Sequence, residues 1–120
     1  METVVLSNSV ETIYYNAFEN CTSLTNINLP ESLNTIQDYA FHNCKSLKDI
    51  EIPVNLDLLG VNVFDGCISL ESVEIPYIKT CYSGVFQNCT GLKTVTFADG
   101  IEGIPGYMFA GCTSLCHIRL

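Results

Sequence analysis

The sequence predicts an α/β repeat solenoid, and three observations carry that expectation. Phe recurs at positions 18, 41, 64, 86 and 109, at intervals of 23, 23, 22 and 23 residues. Cys follows each Phe by three residues, at 21, 44, 67, 89 and 112. Leu follows each Cys by three, at 24, 47, 70, 92 and 115. A fixed period of this size marks stacked units, none of which can bury its own apolar side without a neighbour. Four further columns keep the same register. They are Ile27, Ile50, Val73, Val95 and Ile118; Leu29, Ile52, Ile75, Phe97 and Leu120; Ile13, Ile36, Leu59, Cys81 and Ile104; and Val10, Leu33, Leu56, Ile78 and Ile101. The one-residue deletion falls between Pro76 and Ile78, in a turn, where a solenoid tolerates a change of length.

Each 22–23-residue repeat reads as one strand, one bent extended segment and one short helical turn. Leu47-Lys48-Asp49-Ile50-Glu51-Ile52 alternates apolar and polar residues towards its end, as a strand with one buried face does. Pro30, Pro53 and Pro76 end three of these strands by removing a backbone donor. In Leu33-Asn34-Thr35-Ile36 the inward residues lie three apart, so the segment bends. Ala40, Phe41, Cys44 and Leu47 are spaced by one, three and three, which predicts a single helical turn aimed inward. The residue before each Cys is Asn20, Asn43, Gly66, Asn88 or Gly111. Asn and Gly tolerate a left-handed backbone, so this column marks the exit from the turn.

The organisation is a single domain, residues 1–120, of about five repeats. Val4 and Leu6 stand 23 residues ahead of Ile27 and Leu29, and Met1 falls in the leucine column. The chain therefore reads as a window on a longer array. Its terminal rungs, with Val4, Leu6, Ile118 and Leu120, are expected to favour weak end-to-end self-association, because uncapped strand edges pair with other chains. Sedimentation at high concentration tests this.

Composition narrows the function. The 120 residues are 48% hydrophobic and 15% charged, with a net charge of −8. Five basic residues cannot form the stripe that neutralises a phosphate backbone, so nucleic acid is not an expected partner. No apolar run is long enough to predict membrane insertion of this segment. Met1-Glu2-Thr3 lacks the basic opening of a secretory signal.

Leu29-Pro30, Leu33, Ile36, Ala40-Phe41, Cys44, Leu47 and Ile50 together resemble the BspA-like, or Treponema-type, subclass of leucine-rich repeats. The resemblance covers essentially the whole chain. Departures are local: Ala98 replaces the Pro, Cys81 an aliphatic residue, and Val63, Val85 and Met108 the Ala before Phe. The resemblance implies a curved right-handed leucine-rich-repeat superhelix. It also implies a cell-surface or secreted protein that binds other proteins, such as a host surface or matrix protein, in adhesion. A cytoplasmic location stays open alongside it.

Candidate chemistry is sparse. The five-member Cys column is expected to be a row of buried thiols acting as small hydrophobes, since an odd, equivalent set offers no pairing scheme. Cys81 replaces a core aliphatic residue and is expected to be packed. Cys116 is expected on the outward part of the last strand, as a candidate reactive thiol. Cys112, Cys116 and His117 are close in sequence, but their spacing matches no zinc finger. Neither His42 nor His117 belongs to a catalytic motif, and both are expected at the surface. The reading is thus no enzyme, no cofactor and no metal. Asn20-Cys21-Thr22 and Asn88-Cys89-Thr90 fit the glycosylation sequon, but as by-products of the repeat.

The variable surface remains. Residues flanking the inner Ile of each strand should point outward as two stripes. One is Asn26, Asp49, Ser72, Thr94 and His117; the other is Asn28, Glu51, Glu74, Thr96 and Arg119. On a rigid concave sheet these ten form the expected protein-binding face. Asp49, Glu51, Glu71 and Glu74 would favour a basic partner. The alternative is a purely structural spacer within a larger repeat protein, because the stripes lack aromatic anchors. Tyr14, Tyr15, Tyr82 and Tyr107 offer a second surface or shield the core.

Overall fold

A computed structural model describes residues 2–101 and 103–120. The placement of Met1 in the leucine column lies outside the described residues. Among the described residues the strands are β1 (Glu2–Val5), β2 (Thr12–Ile13), β3 (Leu24–Asn28), β4 (Thr35–Ile36), β5 (Leu58–Leu59), β6 (Ser72–Ile75), β7 (Thr80–Cys81), β8 (Thr94–Phe97) and β9 (His117–Arg119). All pairings are parallel, which is how a solenoid of about five turns stacks its coils. Strands β2, β4, β5 and β7 form one four-stranded sheet in consecutive order. On the other side, β1 pairs with β3, and β6, β8 and β9 form a three-stranded sheet. Val4 lies opposite Ile27, and Val73, Val95 and Ile118 lie in line, so the columns read from the sequence become rungs.

The core is a set of parallel rows. Phe18, Phe41, Phe64, Phe86 and Phe109 form one continuous stack, with centroids 5.2, 5.3, 5.3 and 6.1 Å apart and planes within 11° of parallel. Phe41, Phe64 and Phe86 are fully buried, and so are the thiols of Cys44, Cys67 and Cys89 and the leucines at 47, 70 and 92. Each thiol also does polar work. Cys44, Cys67, Cys89 and Cys112 direct Sγ at the carbonyls of Phe18, Phe41, Phe64 and Phe86, at 3.0–3.2 Å. A buried backbone oxygen thereby gains a partner from the next coil.

The expected helical turn is absent, so the α/β class is corrected to a β-solenoid. The reason is a second left-handed column. Asn16, Tyr39, Asn62, Gly84 and Tyr107 have φ between 53° and 70°, four residues before the left-handed Asn20, Asn43, Gly66, Asn88 and Gly111. Only three residues separate two left-handed ones, which is too few for a helix. The intervening amides alternate instead. Ala17, Glu19 and Cys21 donate three residues back, closing tight turns, whereas Asn16, Phe18 and Asn20 donate to the carbonyls of Asp38, Ala40 and His42 in the next coil. The corner is therefore bonded between coils, like a strand.

The exit column gives a prediction. Gly66 has φ 80°, and a side chain there would press on the amide oxygen of Asn43. Asn43 already bonds Asn20 at 3.3 Å, so Gly66→Asn extends an existing row. It should change stability by less than ~0.5 kcal/mol. Gly66→Val, a β-branched residue forced left-handed, should cost about 2 kcal/mol. Urea denaturation of both variants checks the contrast.

A second correction concerns Leu47–Ile52, the segment with the clearest strand pattern. It forms no assigned strand, although Ile50 and Ile52 stay buried. Lys48 donates to Thr25, but among the described residues the amides of Ile50 and Ile52 have no backbone acceptor. The inner apolar residues hold their places while the backbone bonds on either side lapse, which is why the long sheet falls into two pieces.

Candidate functional site

The ten predicted face residues all project from the strand side. Eight are exposed, and Thr94 and Thr96 are half-buried. Six of them, Asn26, Asn28, Asp49, Glu51, Ser72 and Glu74, line one groove of about 870 Å³ centred on residues 49–52 of the interrupted segment. Thr94, Thr96, His117 and Arg119 continue the stripes on β8 and β9 but lie outside the groove. The groove wall carries three carboxylates and, among the described residues, no Lys, Arg or His. Asn28 is committed to the fold: its amide accepts from the Leu6 amide nitrogen at 2.8 Å and donates to the Leu6 carbonyl at 3.3 Å. Glu71 stands apart from the groove and pairs with Lys93 at 3.2 Å.

The corner side carries a polar cluster that the sequence did not signal. His42, expected at the surface, is half-buried between two coils. Its Nδ1 lies 2.8 Å from Glu19 Oε2 and its Nε2 lies 3.9 Å from Asp65 Oδ2. Asp65 is the one buried charged side chain among the described residues, and it accepts from Asn62 at 2.7 Å and Asn88 at 3.2 Å. The His42 bond, and then the Asn16 bond, hold the Glu19 carboxyl below its ordinary value. Coil-to-coil register makes this cluster: Glu19, His42, Asp65 and Gln87 share one column, so their spacing was legible although their chemistry was not.

All seven cysteines are free thiols. Burial pushes Cys44 up to about 12 and Cys81 up to about 11, and raises Cys67, Cys89 and Cys112 as well. Cys112 directs its thiol inward at Phe86, away from the exposed Cys116 and His117. No group of three metal-ligating side chains occurs among the described residues. Tyr14, Tyr15, Tyr82 and Tyr107 are exposed, so they do not shield the core. No helix among the described residues is long and apolar enough to cross a membrane.

A sequence model of the BspA type leucine rich repeat region matches residues 1–118, in six copies. The chain belongs to that family. Solved leucine-rich-repeat structures superpose closely on it. A Treponema pallidum leucine rich repeat protein is 37% identical over 98% of this chain and 55% of its own, with a TM-score of 0.93. A leucine rich cell surface protein of Faecalibacterium prausnitzii A2-165 is 34% identical over 98% of this chain and 31% of its own, with a TM-score of 0.91. A leucine-rich repeat protein of Eubacterium ventriosum, 23% identical with a TM-score of 0.85, shares the fold. This leucine-rich-repeat chain thus spans about half of the Treponema protein and about a third of the other two. No curated protein matches it. Leucine-rich-repeat folds commonly serve as protein-interaction modules.

Proposed function

We propose that this leucine-rich-repeat chain is a non-catalytic protein-binding or adhesion module. It presents the strand side as a rigid concave face to a basic segment of a partner protein. The observation that carries the reading is the groove over residues 49–52, where Asp49, Glu51 and Glu74 meet with no cation in the wall among the described residues. Such a wall attracts Lys- and Arg-rich surfaces and repels acidic ones. The similarity to a Faecalibacterium cell surface protein supports a surface location; a host surface or matrix protein is the partner this reading proposes.

The triple variant Asp49→Lys, Glu51→Lys, Glu74→Lys tests the reading. Binding to immobilised matrix proteins and to a lysine-rich probe peptide should weaken at least tenfold. The loss should fall mainly in the association rate and should shrink as salt is raised. All three side chains are exposed, so the fold should be retained. Binding that survives unchanged for every partner would leave the spacer role in place of the docking face.

A further inference from the structure

Five of the chain's six tyrosines fall in three neighbouring columns on the corner side, directly after the Ile13 column. Tyr14 and Tyr82 share the first column, and Tyr15 stands in the second. Tyr39 and Tyr107 share the third, which is the left-handed entry column. All five are exposed, Tyr107 by 75%. Tyr82 lies three coils from Tyr14, and Tyr107 three coils from Tyr39, so each pair is roughly 14 Å apart at ordinary strand spacing. The third coil presents Gly60, Val61 and Asn62 in these columns, with Gly60 buried, so no aromatic side chain rises there.

Packing does not account for these tyrosines. Tyr39 and Tyr107 hold φ of 60° and 58°, a region that a bulky side chain adopts only with strain. The same column takes Asn16, Asn62 and Gly84, residue types that adopt it readily. At Tyr107 the strain brings no burial in return. Strain that the fold does not need clusters at functional sites. What the tyrosine supplies at 107, and asparagine would not, is an aromatic surface.

The charges around this ridge are mostly acidic. Glu19 lies beside the entry column, where it accepts from Asn16 at 2.8 Å and faces His42, whose ring meets Tyr39 edge-on at 5.3 Å. Asp38 stands within the ridge next to Tyr39, and the exposed Glu11 and Asp57 flank its other side. Lys79 is the one Lys or Arg in the columns from Glu11 to Glu19 among the described residues. Carboxylates beside exposed tyrosine rings suit guanidinium groups, which stack flat on a ring and bond a carboxylate at their edge.

We infer that this tyrosine ridge docks an extended, arginine-rich segment of a partner protein. Arginines four residues apart in an extended chain are also about 14 Å apart, the interval of the tyrosine pairs. The ridge lies on the corner side, away from the acidic groove, and does not rest on the role proposed for that groove.

The test uses the intact chain and a labelled, end-capped peptide, Arg-Gly-Ser-Gly-Arg-Gly-Ser-Gly-Arg. Its all-lysine counterpart measures what the groove and net charge contribute. Fluorescence anisotropy should show saturable binding of the arginine peptide, at least threefold tighter than that of the lysine peptide. Tyr82→Ser combined with Tyr107→Asn leaves the charge unchanged. It should weaken the arginine peptide about tenfold, the loss of two cation–ring contacts, and the lysine peptide less than threefold. Tyr107→Asn alone should weaken binding and yet raise the thermal midpoint by a few degrees, because it relieves the strain. Equal affinity for the two peptides overturns the inference, as does full binding of the arginine peptide by the double variant. So does a lowered midpoint in Tyr107→Asn, which would make the tyrosine a structural residue, or a ridge that holds a neutral oligosaccharide in place of the arginine peptide.

Discussion

Phe64→Ala is expected to cost about 3–5 kcal/mol of folding stability, enough to bring a domain of ordinary stability close to unfolding. Phe64 is fully buried and stacks on both faces, against Phe41 at 5.3 Å and Phe86 at 5.3 Å. Removing it opens a cavity that cannot collapse, because the coils above and below are held at a fixed spacing by the amides of Phe41 and Phe64, which bond the carbonyls of Val63 and Val85 at 2.9 and 2.8 Å. Two aromatic contacts are lost as well, each worth about 0.5–1.5 kcal/mol beyond the buried area. Phe18→Ala and Phe109→Ala should cost roughly half as much, since each end ring is half-buried and the last interval widens to 6.1 Å. Phe64→Leu, which retains much of the volume, should cost about 1–2 kcal/mol. Urea denaturation followed by circular dichroism gives the ranking. Equal losses at all five positions would contradict a stack whose middle is tighter than its ends.

The inward columns were legible because stacking turns sequence period into spatial row. A residue that must face its copies above and below is constrained by both, so Phe, Cys and Leu recur with little variation. The left-handed exit was legible for a related reason: only Asn and Gly occupy it. The entry column was hidden because Tyr39 and Tyr107 share it with Asn16, Asn62 and Gly84, and a bulky aromatic residue does not advertise a positive φ. With one left-handed column in view, spacings of one, three and three looked like a helix. With two, the segment is a bonded corner. The strand pattern of Leu47–Ile52 reports which side chains face inward, and they do, but period alone does not fix whether the backbone bonds to its neighbours. The end of the backbone ladder beyond β7 was written in Pro105, although it takes the coil-to-coil bonding of Gln37, Gly60 and Tyr82 to show which carbonyl the proline leaves without a donor. On the functional side, the face residues could be placed but not ranked. Only the fold shows that six of them share a groove while Asn28 is spent on Leu6.

The thiol row should make this chain unstable in alkali to an unusual degree. Burial, and next the neighbouring thiols of the same row, push Cys44 up to about 12 and raise Cys67 and Cys89 too. In the unfolded chain these groups ionise near pH ~8.5. Below that value both states keep the protons, and the thiols add no pH dependence. Above it the unfolded state releases protons that the folded state retains, so stability falls as pH rises. Each thiol contributes a slope of about −1.4 kcal/mol per pH unit until the folded value is reached. Cys44, Cys67 and Cys89 together give about −4 kcal/mol per unit, which exhausts a typical folding stability within a few pH units above ~9. Cys67→Ser keeps a hydroxyl donor for the Phe41 carbonyl but removes the titrating group. Its stability at neutral pH should be lower, yet its decline between pH 9 and 11 should be shallower by about 1.4 kcal/mol per unit. Parallel declines in the parent and the variant would show that other groups unfold the chain. Alkylation at pH 8 gives a second readout: Cys116, exposed on the last coil, should react first, while Cys44, Cys67 and Cys89 react only as fast as the chain opens, because both the thiolate and the access they need are denied by the same burial.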